Sequence, residues 1–301
     1  MRLLLLGRNG QLGWELQRAL APLGEVVALD RGGTPELCGD LADLAGLAAT
    51  VRRVAPQAIV NAAAYTAVDA AEAEPAAAMR INAEAPGVLA EEAARIGAWL
   101  VHYSSDYVYS GDGSRPWSEG DRPAPVSAYG RSKLAGDAAV TAATERALIF
   151  RTSWVYAARG RNFLRSILRL ARSRDILDVV NDQFGAPTGA ELIADVTAHA
   201  LAAVLRDGGS ADRAGIYHLA AAGETTWWEY ARLVLAEAER AGAGLKVTAD
   251  RVGAVPTEAY HRPAPRPRNS RLALGKLETA FGLRMPGWEH GVRRVLQEIL
   301  T

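Results

Sequence analysis

A chain of 301 residues carries enough material for one large hydrophobic core or two modest ones. Its 34 basic residues balance 34 acidic ones, which removes the electrostatic reason to expect nucleic acid or an anionic membrane as partner; a phosphate-bearing ligand has to be held by local features. The single cysteine, Cys38, cannot close an internal disulfide, the apolar start Met1–Leu6 is broken at once by Gly7, Arg8 and Asn9, and no apolar run approaches the roughly 18 residues that span a bilayer, so a soluble cytoplasmic protein is expected.

Arg2–Leu6 is a continuous apolar run ending in glycine, the pattern of a buried parallel strand. Gln11–Leu20 follows as a helix with Leu12, Leu16 and Leu20 on one side, then a strand over Glu25–Leu29 closed by Asp30. Leu44–Val54 reads as a helix, Ala58–Val60 as a strand, and Pro75–Ile96 as one long helix kinked at Pro86. Strands over Trp99–Ser104 and Ala147–Arg151 flank a helix over Tyr129–Thr141. Strand and helix alternating in this way predict an α/β fold, a Rossmann-type doubly wound parallel sheet, whose ligands bind beyond the carboxyl ends of the strands.

From about Thr152 the pattern loosens into helices over Phe163–Arg172, Leu192–Leu205 and Thr226–Ala241. They alternate with short strands over Ile176–Val180, Ile216–Leu219 and Leu245–Ala249, and a proline-rich connection runs from Val255 to Arg268. The expected organisation is a dinucleotide-binding unit over residues 1–151 and a smaller mixed α/β substrate unit over residues 152–301, with some segments able to cross back to the sheet.

Gly7, Gly10 and Gly13 are spaced G-x-x-G-x-x-G straight after the first strand and open the first helix together with Gln11 and Leu12. A pyrophosphate needs bare backbone N–H groups and the positive end of a helix there, so NADPH or NADH is expected. Asp30, ending the second strand, is placed to accept from the adenosine ribose, which favours NADH, while neighbouring Arg31 could tolerate the extra phosphate of NADPH. Asp40 and Leu41 are expected to edge the adenine, and the small-residue stretch Ala62, Ala63, Ala64, Tyr65 and Thr66 to let the cofactor lie close.

Tyr129 and Lys133 stand four apart at the start of a helix, on one face, with Cβ atoms roughly 5–6 Å apart. A ketone reduced by hydride must also receive a proton, and a phenol of pKa about 10 is a reluctant donor to regenerate at neutral pH. Lowering it to about 7 takes roughly 4 kcal/mol of phenolate stabilisation, which a neighbouring ammonium and the oxidised cofactor can supply. Ser105, at the end of the preceding strand, is positioned to hydrogen-bond the carbonyl oxygen beside Tyr129.

These motifs together resemble the extended short-chain dehydrogenase/reductases, and within them the dTDP-4-dehydrorhamnose reductase family. The resemblance is carried by Gly7–Gln17, Asn61–Asp69, His102–Gly111, Tyr129–Gly136, Phe150–Tyr156, Asn181–Glu191 and Arg266–Leu272, almost from end to end. It implies Tyr129 as acid, Lys133 as its partner and holder of the nicotinamide ribose, and Ser105, commonly a threonine in the family, as carbonyl ligand. It further implies a dTDP-linked 4-keto-6-deoxy sugar against Ser105, Asp106, Tyr129 and Trp154, with Arg266, backed by Arg268 and Arg271, facing its diphosphate. Mg²⁺ held by Glu15, Glu191 and Glu298 at a homodimer contact is also implied.

Two other readings compete. A sugar 4,6-dehydratase needs an Asp-Glu pair after the hydroxyl residue, and Asp106 is followed here by Tyr107; a 4-epimerase shares the tyrosine and lysine but is not expected to match Asn181–Glu191 or Arg266–Leu272. A non-catalytic subunit resembling the regulatory subunit of methionine adenosyltransferase would share the Ser104–Val108 stretch and the Tyr129–Lys133 pair. The stretches Phe150–Tyr156 and Asn181–Thr188 favour the enzyme.

Overall fold

The structure is a computed structural model that describes residues 1–206 and 211–300. Five strands of the first half, β1 (Arg2–Leu6), β2 (Glu25–Leu29), β3 (Ala58–Asn61), β4 (Trp99–Ser105) and β5 (Ala147–Thr152), are joined by β6 (Gly215–His218) in one parallel sheet of order β2-β1-β3-β4-β5-β6. The expected doubly wound α/β fold is therefore present, and its last strand is supplied by the second half of the chain.

Burial explains the sheet. Leu3 and Leu5 face α1 (Gln11–Leu20) and α6 (Ala190–Arg206), packing with Leu16, Leu20, Ile193 and Leu201. Leu4 and Leu6 point the other way, onto Leu47 and Val51 of α2 (Leu44–Val54) and Leu89 and Ala93 of α3 (Ala85–Ile96). Alternate side chains of one strand thus fill two separate layers, which is why the run needs no polar residue. A third core joins α5 (Phe163–Ser173), α7 (Trp227–Arg240) and α8 (Trp288–Leu300) around Leu164, Tyr230, Val234 and Val295. The chain leaves β1 for β2 on one side and returns to β3 on the other, so the crevice beyond β1 and β3 is the topological switch point where ligands bind.

Two expected elements differ. The long helix over Pro75–Ile96 is interrupted by a π turn at Arg80–Glu84, between a short helix at Pro75–Met79 and α3. Pro86 has no N–H to offer the Asn82 carbonyl, so the ladder breaks one turn before the proline rather than at it. Gly136, on α4 (Ala128–Ala143), comes so near this carbonyl that a Cβ there would lie 2.1 Å from the Asn82 oxygen. Leu245–Ala249 is not a strand: the N–H groups of Lys246 and Val247 both donate to the Ala171 carbonyl at the end of α5, leaving an irregular segment anchored by buried Val247.

Candidate active site

The glycine loop is built by close approach. Gly7 has φ +88°, and a Cβ on it would stand 2.8 Å from the Ala63 nitrogen; a Cβ on Gly13 would lie 2.0 Å from the Gly7 carbonyl oxygen. Both contacts are backbone to backbone, so no rotamer can relieve them, and Gly13→Ala is expected to weaken NADPH binding about 100-fold, measured by cofactor fluorescence. Gly10 caps α1 without any side-chain acceptor, which leaves the helix N-terminus to a ligand. Gln11 accepts from Asn162 Nδ2 at 2.7 Å, and Leu12 packs against the sheet core. Ala62 and Ala63 are half-buried beside the loop, with Ala64 and Thr66 exposed on the same crevice segment.

Asp30 differs from its expected setting. Its carboxylate accepts from Arg8 Nη2 at 3.0 Å, Asn9 Nδ2 at 2.8 Å and the Gly32 N–H at 3.0 Å, and the Arg8 guanidinium holds it below the usual range. Arg8, not the exposed Arg31, is the base beside it, because Arg8 leaves β1 next to the end of β2. Asp40 turns its carboxylate to the Ala42 N–H at 2.9 Å, closing its own turn, and Leu41 is buried beneath it.

At the other end of the crevice, Ser127 caps α4 by accepting from the Gly130 N–H at 3.1 Å and so sets Tyr129 on the first turn. Gly130 lies against the Tyr107 carbonyl, where a Cβ would be 2.2 Å away, and the Tyr107 and Tyr129 rings meet edge-on with centroids 5.5 Å apart. Burial pushes the Tyr129 phenol up to about 12, opposed by the Ser105 hydroxyl and reinforced by the carboxylates of Asp106 and Asp137. Lys133 is buried, and its Nζ donates to the Tyr103 carbonyl at 2.5 Å. Burial lowers this amine to about 8, with Asp137 acting against the fall. Desolvation thus outweighs the Ser105 hydrogen bond, and the phenol carries its proton at neutral pH.

Behind Lys133, Asp137 forms a buried pair with Arg151 at 3.0 Å, and Arg151 Nη1 donates to the Tyr109 hydroxyl at 2.8 Å. Asn82, buried at the π turn, accepts from the Tyr65 N–H at 2.9 Å, donates to the Tyr65 carbonyl at 3.0 Å and donates to Ser132 Oγ at 3.0 Å. It ties the cofactor-side loop to the catalytic helix. Sequence reading missed Asn82, Asp137 and Arg151; a polar asparagine one turn before a helical proline was the available signal.

A cavity of about 1120 Å³ opens beside this corner, lined by Tyr107, Asp69, Gln183, Trp227, Arg262 and Arg266 among others. Arg266, expected to face a diphosphate, is thus part of the cavity wall. Arg268 and Arg271 do not line the cavity: Arg268 is engaged by Glu258 and Asp182, and Arg271 by Glu224 at 2.6 Å and the Phe184 ring. Arg262, Arg169 and Arg174 line the cavity as well. Trp154 leaves β5 with φ +48°, stacks on Trp227 with centroids 3.6 Å apart, and covers Gly185, where a Cβ would be 2.7 Å from its ring. A left-handed tryptophan is strained, and such strain clusters where a side chain has a task.

The whole chain, residues 1–301, matches the family model described as RmlD substrate binding domain. It is 52% identical over 301 residues to the dTDP-4-dehydrorhamnose reductase of Escherichia coli K12, covering 100% of this chain and 99% of that protein. The crystal structure of a dTDP-4-dehydrorhamnose reductase from Clostridium acetobutylicum superposes with TM-score 0.89 at 31% identity, covering 100% of both chains. That of the Bacillus anthracis enzyme, in complex with NADP, gives TM-score 0.85 at 32% identity over 99% of both chains. The chain belongs to the dTDP-4-dehydrorhamnose reductase family.

Asp106 is buried, accepts from Ser105 Oγ at 3.0 Å, and is raised to about 6 by burial against the pull of Ser270 and Ser105. A carboxyl whose folded pKa exceeds its unfolded value stabilises the fold at low pH and loses that contribution as pH rises through about 4 to 6. Asp106→Asn is therefore expected to raise stability at pH 7.5, by up to about 3 kcal/mol, and not at pH 4, as read by denaturant titration at both values. The metal trio gains no support. Burial and the nearby Glu191 and Glu298 push Glu15 up, so the three do gather, yet Glu191 is clasped by Arg294 at 2.6 and 2.8 Å and Glu15 faces Arg18 at 3.7 Å. Among the described residues no group of three histidine, cysteine or acidic side chains is arranged to hold a metal ion. No helix among them is long and apolar enough to cross a membrane.

Proposed function

We propose that this protein reduces the C4 ketone of dTDP-4-dehydro-6-deoxy-L-mannose to the alcohol of dTDP-L-rhamnose, with NADPH or NADH as reductant and Tyr129 as proton donor. The observation that carries the reading is a protonated phenol beside the Ser105 hydroxyl, with a buried amine four residues further along the same helix, at the carboxyl edge of the sheet. Beside them lies an arginine-bearing cavity large enough for a nucleotide sugar. The Gly7–Gly13 loop, the uncapped start of α1 and the Arg8–Asp30 pair fit a dinucleotide. Asp30 suits a ribose diol and Arg8 a 2′-phosphate, so the pair accommodates either cofactor.

The bound dihydronicotinamide supplies hydride to C4. Tyr129 gives its phenolic proton to O4 as the carbonyl π bond opens, so the ketone gains one hydride and one proton and becomes a secondary alcohol. Ser105 donates to the same oxygen. Tyrosinate is left behind, stabilised by the Lys133 ammonium, and regains a proton from solvent. A phenol held near 12 is fully protonated at neutral pH, the state the reducing direction requires. Asp106 and the strained Trp154 are assigned to the hexose, and Arg266 with Arg262 to the diphosphate.

The test mixes the purified chain with enzymatically generated ketone and NADPH or NADH and follows cofactor absorbance. Net oxidation matched by dTDP-L-rhamnose formation is expected. An epimerase would return its hydride and show no net consumption, and a binding subunit would show none with either cofactor; either result would overturn the proposal.

A further inference from the structure

Three elements converge on the nucleotide end of the cavity, and one carboxylate joins them. Asp69 stands on the first turn of the short helix Val68–Ala73, which follows the cofactor-side loop. Its Oδ1 accepts from Arg266 Nη2 at 2.8 Å and from the Ala264 N–H at 3.3 Å, and its Oδ2 lies 3.9 Å from Arg262 Nη1. Arg266 Nη1 donates in turn to the Ala264 carbonyl at 3.1 Å. Both terminal nitrogens of the guanidinium are thus engaged, which fixes its plane.

The same helix reaches the catalytic corner. Glu72 Oε1 accepts from the Ala128 N–H at 2.7 Å, at the start of the helix that carries Tyr129. Downstream of Arg266, Pro267 packs under Gly111, where a Cβ would be 2.4 Å away, and the Asn269 N–H donates to the Gly111 carbonyl at 2.8 Å. The arm is therefore pinned at residue 267 and beyond, whereas its cavity-facing part, residues 262–266, is held by Asp69. The Asp69 and Arg266 side chains are 32% and 21% exposed, and an ion pair so placed adds little to stability. Its consequence lies in orientation.

We propose that Asp69 is a positioning residue that sets Arg266, and the arm around it, to receive the diphosphate of the nucleotide sugar. This rests on the reading of the cavity as a nucleotide-sugar site. The carboxylate acts through the guanidinium it orients and touches no reacting atom. It also fixes the distance between the diphosphate subsite and Tyr129, since Asp69 and Glu72 share one helical turn.

The experiment is calorimetric titration of the full chain with dTDP in the presence of NADP⁺, for wild type, Asp69→Ala, Asp69→Asn, Arg266→Ala and the Asp69→Ala/Arg266→Ala double variant. Asp69→Ala is expected to weaken dTDP about tenfold, while Asp69→Asn, which keeps an oxygen for Arg266 and Ala264, stays within about threefold of wild type. In the Arg266→Ala background the Asp69→Ala change is expected to have no further effect. With the keto-sugar, KM for the sugar should rise more than kcat falls, and NADPH affinity and the thermal midpoint should hold. Unchanged or tighter dTDP binding in Asp69→Ala would overturn the proposal, the latter by showing that the carboxylate competes with the ligand. Full additivity in the double variant would overturn it as well. Wild type that ignores dTDP altogether would instead defeat the nucleotide-sugar reading, and this inference with it.

Discussion

Tyr129→Phe is expected to lower turnover roughly 100- to 10,000-fold while NADPH binding stays within about twofold of wild type. The ring remains where it is: it packs with Tyr65, Ala71, Ala78 and Ala128 and meets Tyr107 edge-on, and none of those contacts uses the hydroxyl. What is lost is the hydroxyl, with its proton and its hydrogen bond to Ser105. Steady-state rates together with cofactor fluorescence titration check both halves, and a variant that keeps near-normal turnover would show that the proton comes from elsewhere.

Lys133→Met is expected to damage both functions, with turnover falling about 100-fold or more and NADPH affinity about tenfold. The amine is buried, so its removal strips the Tyr103 carbonyl of a donor and leaves the tyrosinate formed in each cycle without a neighbouring cation. A pH signature separates these effects. Because burial lowers the lysine to about 8 and raises the tyrosine to about 12, the alkaline limb of kcat/KM for NADPH, which reports the free protein, should fall with an apparent pKa near 8. The ammonium is present below that value and lost above it. In Lys133→Met the limb should disappear from the residual activity; a limb that persists near 8 would assign it to another group.

The middle of the sheet was legible because its strands are buried on both faces. Leu3–Leu6 has no exposed face to encode, so the run of leucines announces a parallel strand directly. The glycine loop and the Tyr129–Lys133 spacing were equally plain, since each rests on local geometry: a Cβ that cannot fit, and two side chains on one helical face. What stayed hidden depends on contacts distant in the chain. Arg8 reaches Asp30 across 22 residues, and Glu224 pairs with Arg271 at 2.6 Å, pairings that spacing does not reveal. The burial that raises the Tyr129 phenol was hidden too, because desolvation is a property of the packed site. Helix 75–96 was legible in part: Pro86 marks a break, and the ladder opens one turn upstream of it because the Asn82 carbonyl receives no N–H from the proline.

The most direct test of the account is isotope transfer. The wild-type chain is supplied with dTDP-4-dehydro-6-deoxy-L-mannose and NADPH carrying deuterium on one face of the dihydronicotinamide, and the product is read by NMR. One of the two labelled faces is expected to deliver a single deuterium to C4 of dTDP-L-rhamnose, one per cofactor oxidised. Product formed without label at C4 from either face, or cofactor oxidised without a C4 alcohol appearing, would contradict hydride transfer to that carbon.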